Sequence, residues 1–312
     1  MKTHAKKMMA LTLAASLGVA GLHVSGALLG DANNDGALRK EDVQSVINFL
    51  IDQPGASPAN ADVNQDGVVN GVDLSLLKRK ILQGETSGPS EIPDYGTAPN
   101  ESATMYDNFR SGSSKYFFAS DGWTNGNPFD CVWRGSNAVL SNGSLQLNLT
   151  ADPKGAYRYA GAEYRTSDHY HYGYYETSMQ AIKNDGVVSS FFTYTGPSED
   201  NPWDEIDIEI LGKDTTKVQL NYYTNGVGNH EYFYDLGFDA SQGYHTYGFD
   251  WQPDHITWYV DGKAIYTARD NIPSTPGRIM MNVWPGIGVD EWLKPFNGNV
   301  PLTARYQWVT FN

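Results

Sequence analysis

Trp203-Asp204-Glu205-Ile206-Asp207-Ile208-Glu209-Ile210 is the stretch from which the fold reads most directly. Polar and apolar residues alternate in it at period two. On an extended strand Glu205, Asp207 and Glu209 therefore share one face, while Ile206, Ile208 and Ile210 share the other. The pattern predicts a strand with an apolar back set into a core and an acidic front. Three carboxylates in a row raise one another's pKa, so at least one proton is held near neutral pH. Cleavage of a glycosidic bond needs one acid and one anionic carboxylate side by side. Along a strand the Cα atoms of Glu205 and Glu209 lie about 13 Å apart. Their side chains must lean together over a curved sheet to approach the roughly 5 Å of a double displacement. A solvated acidic face and a metal site are the rival readings. The regular apolar reverse face and the neighbouring Trp203 speak against the first, and the lack of histidine in the run against the second.

Outward from this strand, residues 101–312 carry short alternating or aromatic segments. They are Leu145–Leu149, Gly173–Met179, Val187–Tyr194, Lys217–Tyr223, His245–Trp251, Ile256–Val260 and Gln307–Phe311. Turn signals separate them at Asn142-Gly143, Asn184-Asp185-Gly186, Asn225-Gly226 and Asp261-Gly262. No long amphipathic helix interrupts the series, so an all-β, two-sheet jelly-roll sandwich is expected. Cys131 is the only cysteine, which rules out an internal disulfide and reads as a small buried hydrophobe.

Upstream, residues 85–100 are rich in Gly, Ser, Pro and Thr and read as a linker. Before it, residues 28–84 hold two copies of one loop, beginning at Asp31 and Asp62. Oxygen donors stand at positions 1, 3 and 5, a glycine at 6 and a carboxylate at 12, as a calcium loop requires. The candidate ligands are Asp31, Asn33, Asp35, the Ala37 carbonyl and Asp42 in the first loop. In the second they are Asp62, Asn64, Asp66, the Val68 carbonyl, Asn70 and Asp73. Val43, Val46, Ile47 and Leu50 then recur at helical spacing, as do Leu74, Leu77, Ile81 and Leu82. The two short helices are expected to pack on each other, with two structural Ca²⁺ ions supplying part of the folding energy.

At the start, Lys2, Lys6 and Lys7 precede an apolar run ending in small residues near Ala27. Residues 1–27 thus read as a secretory signal, and the remainder as an exported protein with no membrane attachment after cleavage. The composition agrees, with 40% hydrophobic and 19% charged residues among 312. A net charge of -14 makes nucleic acid a poor partner. Aromatic residues, 13% of the chain, are numerous enough to line a sugar-binding cleft as well as a core.

The run Glu205-Ile206-Asp207-Ile208-Glu209, with Phe191-Phe192-Thr193-Tyr194-Thr195-Gly196-Pro197 and Trp203-Asp204, closely resembles the bacterial lichenases of glycoside hydrolase family 16. The likeness extends over residues 105–312. It implies a retaining endo-hydrolase of mixed-linkage β-1,3-1,4-glucan that uses no cofactor for catalysis. Glu205 would be nucleophile, Glu209 acid/base, and Asp207 the residue tuning both. It further implies a substrate cleft of Asn125, Glu163, Arg165, Tyr194, Trp203, Asn221, Tyr223, Asn282 and Trp284. The family's Bacillus-type members hold the counterpart of Cys131 in a disulfide, but the partner position here is Gly161. They bind a structural calcium through an acidic residue where this chain has Gln307, so no such ion is expected in the sandwich. The duplicated loop with Asp at its twelfth place resembles a type I dockerin. That implies docking onto a cohesin domain of a scaffold protein, and an extracellular, cellulosome-associated location. Positions 10 and 11, which help to select the partner, are Lys40-Glu41 and Gly71-Val72 rather than a Ser-Thr pair. A carbohydrate-binding sandwich without turnover remains a rival reading. So does an enzyme for laminarin-like β-1,3-glucan, agar, carrageenan or xyloglucan.

Overall fold

The computed structural model describes residues 29–33, 38–51, 60–64, 67–82 and 94–312. The expected signal segment, Asp35, Ala37, Asp66 and the linker up to residue 93 lie outside the described residues. The chain divides into two compact units, Met1–Pro89 and Ser90–Asn312.

In the first unit, helices α1 (Lys40–Leu50) and α2 (Gly71–Leu82) follow the two loops. The twelfth residue of each loop, third in its helix, also caps the helix start. Asp42 Oδ2 accepts the backbone N–H of Arg39 (2.7 Å). Asp73 Oδ2 accepts that of Asn70 (2.8 Å), while Asn70 Oδ1 accepts that of Val72 (2.7 Å). Orphan N–H groups at both helix starts are met in this way. Val46 and Leu77, both fully buried, join Leu38, Ala32, Ala61 and Val63 in a small core flanked by Val43, Leu50, Leu74 and Ile81. Ile47 does not join this core as the described residues form it.

The second unit is an antiparallel β-sandwich of sixteen strands among the described residues. One curved sheet runs in the order β11 (Tyr232–Asp235), β10 (Lys217–Tyr223), β9 (Asp204–Leu211), β8 (Val187–Thr195), β15 (Arg278–Pro285) and β6 (Tyr159–Thr166). On β6 it adds β2 (Phe117–Ala119) and, in parallel, β3 (Val132–Trp133). The other sheet comprises β5 (Ser144–Ala151), β16 (Leu302–Phe311), β7 (Gly173–Gln180), β12 (His245–Gln252), β13 (His255–Val260) and β14 (Lys263–Ala268). To it are added β1 (Met105–Asp107) on β16 and β4 (Ala138–Ser141) on β5. Short pairing of β5 with β6 joins the two sheets. At the far ends Tyr232 of β11 stacks on Tyr266 of β14, with ring centres 4.1 Å apart.

The expected strands are present, several of them longer than read. β1 to β4, β6, β11, β14 and β15 were not among the expected segments, although site residues were placed on two of them, β6 and β15. Turn chemistry is as the dipeptides require: Asn142 and Gly143 both take positive φ (53° and 69°) in the β4–β5 hairpin. Ile206, Ile208 and Ile210 are buried at 1% exposure or less, and meet a core that includes Phe191, Phe249, Trp251 and Trp258.

One expectation needs adjustment. Residues 94–97, read as linker, are attached to the sandwich. Asp94 bridges Tyr244, Tyr95 N–H donates to the Tyr244 carbonyl (2.8 Å), and the Thr97 and Thr246 hydroxyls lie 3.0 Å apart. Tyr95 stacks on His245 at 5.1 Å. A Pro- and Gly-rich composition marks missing regular structure, not missing contacts, and an aromatic ring is enough to pin such a segment.

Candidate active site

Period-two alternation on β9 leaves Glu205, Asp207 and Glu209 on the open face of the curved sheet. Register with its neighbours fixes what stands beside them. Glu205 faces Tyr223 on β10 and Tyr194 on β8. Asp207 faces Asn221 and Phe192; Glu209 faces Gln219 and Ser190. The last row continues through Asn282 on β15 to Glu163 on β6. Eight of the nine expected cleft residues therefore lie on or beside this face of the sheet. Trp203 stands just before β9, and Arg165 and Trp284 lie on the same faces of β6 and β15 as Glu163 and Asn282. The ninth, Asn125, is on the exposed loop before β3, where its Oδ1 accepts the indole N–H of Trp133 (2.9 Å).

Each acid is held differently. Trp203 Nε1 donates to Glu205 Oε2 at 2.5 Å, and the Trp203 ring, 39% exposed, stacks on Tyr223 with centres 4.7 Å apart. Gln219 Nε2 donates to Glu209 Oε2 at 2.8 Å. Behind the strand, the indole of fully buried Trp258 donates to the Asp207 carbonyl oxygen (3.2 Å). Asp204 clamps the strand's start, accepting backbone N–H groups of Asn225, Ser274 and Thr275, each at 2.9 Å.

Burial pushes all three carboxyls up. Glu205 rises to about 7, limited by hydrogen bonds from Trp203 and Asp207 and aided by the charge of Glu163. Glu209 rises to about 8 through burial and the charge of Glu205, with Gln219 pulling the other way. Asp207 rises well above the usual carboxylate range, because burial acts together with the charges of Glu205 and Glu209. A neutral Asp207 can donate a hydrogen bond to an anionic Glu205, which leaves that anion and the acid Glu209 on the same strand near neutrality.

Glu163 and Arg165 are held by different partners. They alternate on one strand. Glu163, 3% exposed, takes the Ser120 hydroxyl (2.6 Å) and a hydrogen bond from Asn282, whose own Oδ1 accepts from Ser190 (2.6 Å). Burial still holds the Glu163 carboxyl above its ordinary range. The Arg165 guanidinium lies over the rings of Trp123 (4.9 Å) and Phe118 (5.2 Å). Arg165 Nε and Asn221 Oδ1 are buried without a hydrogen-bond partner among the described residues. Such orphaned atoms on an open face suit a ligand rich in hydroxyls.

Gln219, Trp292, Ser190, Ser120, Trp123 and Phe118 were not anticipated. Gln219 had a sequence signal, since it shares a strand face with Asn221 and Tyr223. The others act over long sequence separations that no local pattern reveals.

Cys131 is a buried free thiol, as expected. Gly161 faces it so closely that a Cβ there would lie 2.7 Å from its sulfur. Gln307, where the resemblance would place an acidic calcium ligand, accepts from the Ser178 hydroxyl (2.8 Å). In the first unit, Asp42 and Asp73 are fully buried. Asp42 Oδ1 accepts the N–H of Asn33 (3.1 Å), and Asp73 Oδ1 those of Val63 (2.8 Å) and Asn64 (3.3 Å). Gly67 N–H donates to Asp62 Oδ2 (2.7 Å), closing the second loop on its first residue. Burial alone would raise Asp73, but the N–H groups of Asn70, Asn64 and Val63 outweigh it and lower its pKa. A buried carboxylate kept charged is a hard oxygen donor that fits Ca²⁺. The Asn70 amide donates to the Val68 carbonyl (3.2 Å), so these two donors engage each other. Among the described residues no group of three or more His, Cys, Asp or Glu gathers as a metal site.

Residues 125–309 match the family model Glycosyl hydrolases family 16, and residues 29–82 match the model Dockerin type I domain. A xylanase/beta-glucanase of Ruminococcus flavefaciens is 66% identical over 225 residues, covering 70% of this chain and 28% of that protein. A beta-glucanase of Acetivibrio thermocellus is 61% identical over 189 residues, covering 61% of this chain and 57% of that protein. The chain thus spans well under two thirds of either relative. It spans 86% of the Bacillus subtilis beta-glucanase, at 55% identity and with 67% of this chain covered. The crystal structure of a prokaryotic beta-1,3-1,4-glucanase (lichenase) derived from a mouse hindgut metagenome superimposes with a TM-score of 0.65 at 56% identity. That match covers 67% of this chain and 98% of the other.

Proposed function

Because the chain belongs to glycosyl hydrolase family 16, we propose that it is a secreted lichenase, an endo-hydrolase of the β-1,4 bonds in mixed-linkage β-1,3-1,4-glucan. The observation that carries this reading is the single strand face bearing Glu205, Asp207 and Glu209, all with raised pKa, beside stacked Trp203 and Tyr223.

Glu205 acts as nucleophile. Its carboxylate attacks the anomeric carbon while Glu209 gives its proton to the departing glycosidic oxygen, leaving a glycosyl ester on Glu205. Glu209, now anionic, takes a proton from water, whose oxygen attacks the same carbon and releases the ester. Two inversions retain the anomeric configuration. Protonated Asp207 keeps Glu205 anionic by donating to it. Trp203, Tyr194 and Tyr223 offer ring faces to glucose, while Asn125, Glu163, Arg165, Asn221, Asn282 and Trp284 fix the hydroxyls and the far sugars.

The N-terminal unit serves as a docking module for a cohesin domain, which places the enzyme outside the cell on a multi-enzyme scaffold. Support comes from the model match over residues 29–82 and from the two loops closed on buried Asp42 and Asp73. Asp31, Asn33 and Asp42, and Asp62, Asn64, the Val68 carbonyl, Asn70 and Asp73, are the described residues that would hold one Ca²⁺ each. The ions would supply folding energy to the module.

Barley β-glucan, laminarin and carboxymethyl-cellulose, each incubated with the wild type and with Glu205→Gln, provide the test. Release of reducing ends from barley glucan alone, absent in the variant, is the expected result. Cleavage of laminarin instead would reassign the substrate to β-1,3-glucan, and full activity in the variant would remove Glu205 from the mechanism.

A further inference from the structure

The acid/base carboxyl is linked to an indole through one amide. Trp292 lies on the short helix α3 (Asp290–Leu293) in the connection from β15 to β16. Its Nε1 is 2.7 Å from Gln219 Oε1, and Gln219 Nε2 is 2.8 Å from Glu209 Oε2. An indole N–H can only donate, so the Gln219 atom facing it must be the carbonyl oxygen. The amide nitrogen then necessarily faces Glu209, and the amide cannot turn over without opposing two donors and leaving Trp292 unpaired. The connection is itself fixed, since Gly186 N–H donates to the Leu293 carbonyl (2.8 Å) and Trp292 packs 5.9 Å from Trp284.

We propose that Gln219, locked in one orientation by Trp292, is a positioning residue that confines the acid proton of Glu209 to Oε1. The inference rests on the reading of Glu209 as acid/base. Protonation of Oε2 is disfavoured while an N–H points at it from 2.8 Å, because a hydroxyl oxygen is a weaker acceptor than the carbonyl or carboxylate oxygen that Oε2 otherwise is. The proton is therefore placed on Oε1, the oxygen that Gln219 does not engage. In the first step the Oε1–H bond breaks and the proton passes to the leaving oxygen as its bond to the anomeric carbon breaks. The negative charge left on Glu209 is met at Oε2 by the amide N–H. In the second step Oε1 takes the proton of the attacking water. Glu205, Asp207, Tyr223 and Glu231 are the other titratable groups acting on or facing Glu209, and all of them are acids. The opposing residue on β8, Ser190, is neutral. Gln219 is thus the donor that counters an otherwise acidic surround.

The test compares kcat/KM, which reports the first step, on two substrates: a mixed-linkage oligosaccharide with a sugar leaving group, and its dinitrophenyl glycoside, whose leaving group needs no proton. Gln219→Leu should lower the first by about 10- to 100-fold, the scale of a hydrogen bond to a charged group. It should lower the second by less than about 3-fold, since general acid assistance is what is lost. The alkaline limb of the sugar substrate should move up by about one pH unit, because a donor to the carboxylate has been removed. Trp292→Phe, which frees the amide to turn, should shift both readouts in the same direction, and the double variant should add little to Gln219→Leu. Equal losses on both substrates with an unmoved alkaline limb, in variants with wild-type circular dichroism, would mean a structural role and overturn the inference. Glu209→Ala serves as the reference. If it spares the dinitrophenyl substrate while Gln219→Leu does not, this inference alone falls. If it loses both substrates equally, the acid/base reading falls and takes this inference with it.

Discussion

Asp207 offers a sharp test because two substitutions there should differ. It is 5% exposed, its carboxyl is raised well above the usual range by burial between Glu205 and Glu209, and it is hydrogen-bonded to Glu205. In the proposed mechanism it is therefore a neutral donor. Asp207→Leu removes that donor. A hydrogen bond to a charged group contributes about 1.5–3 kcal/mol, which corresponds to about 1–2 pH units. Glu205 would move from about 7 to a value at or beyond the about 8 of Glu209. The pH window in which Glu205 is anionic and Glu209 protonated then closes. Activity at pH 6 should fall by about 10- to 100-fold, with the acid limb displaced upward. Asp207→Asn keeps a neutral donor of the same shape, so its acid limb should stay within about half a unit of wild type. The assay is kcat/KM on barley glucan from pH 4 to 10. An Asn variant as impaired as the Leu variant, with the same displaced limb, would show that Asp207 works as an anion and refute the reasoning.

Three further outcomes follow from features of the two units. The triplet has folded pKa values above the unfolded carboxylate value of about 4. Its contribution to stability is thus complete below that pH and lost as pH rises through 7 to 8. Glu209→Gln should accordingly melt with the wild type at pH 4 and several degrees above it at pH 9, by calorimetry; an equal gain at both pH values would contradict the shift. Gly161→Ala would set a Cβ 2.7 Å from Cys131 Sγ and from the Val283 carbonyl oxygen. Overpacking of about 1–3 kcal/mol should follow, read as a lower midpoint in urea, and partly relieved by Cys131→Ala. Chelation with EDTA should remove the thermal transition of the N-terminal unit and leave that of the sandwich in place, whereas loss of both would put a required ion in the sandwich.

Legibility in the sequence followed the physics of each element. The β9 strand could be read because alternation with β-branched isoleucine has one interpretation, and the Asn-Gly and Asp-Gly turns because few other residues tolerate their backbone angles. β6 was hidden by Ala160, Gly161 and Ala162, small residues of low strand propensity, of which Gly161 leaves room for Cys131 and Trp133. β15 was hidden by Met280-Met281 and by polar Asn282 inside an apolar run, the mark of a strand whose two faces serve a core and a cleft. The roles of the acids in the triplet were suggested by motif and resemblance, but their partners were not. Gln219 and Trp292 are 73 positions apart, and only the folded sheet brings them together.

The short segment pinned along β12 has a mechanical meaning. Asp94 pairs with Tyr244 in parallel, and Tyr95 and Thr97 add hydrogen bonds along the same line. Tension applied to the chain from the side of residue 93 would pull these bonds lengthwise, in shear, so that several must break at once instead of unzipping singly. The load would enter the sheet of β7, β12 and β13, while the catalytic strand belongs to the opposite sheet. Force arriving from the N-terminal side would thus strain this segment first and leave the carboxyls of β9 in register.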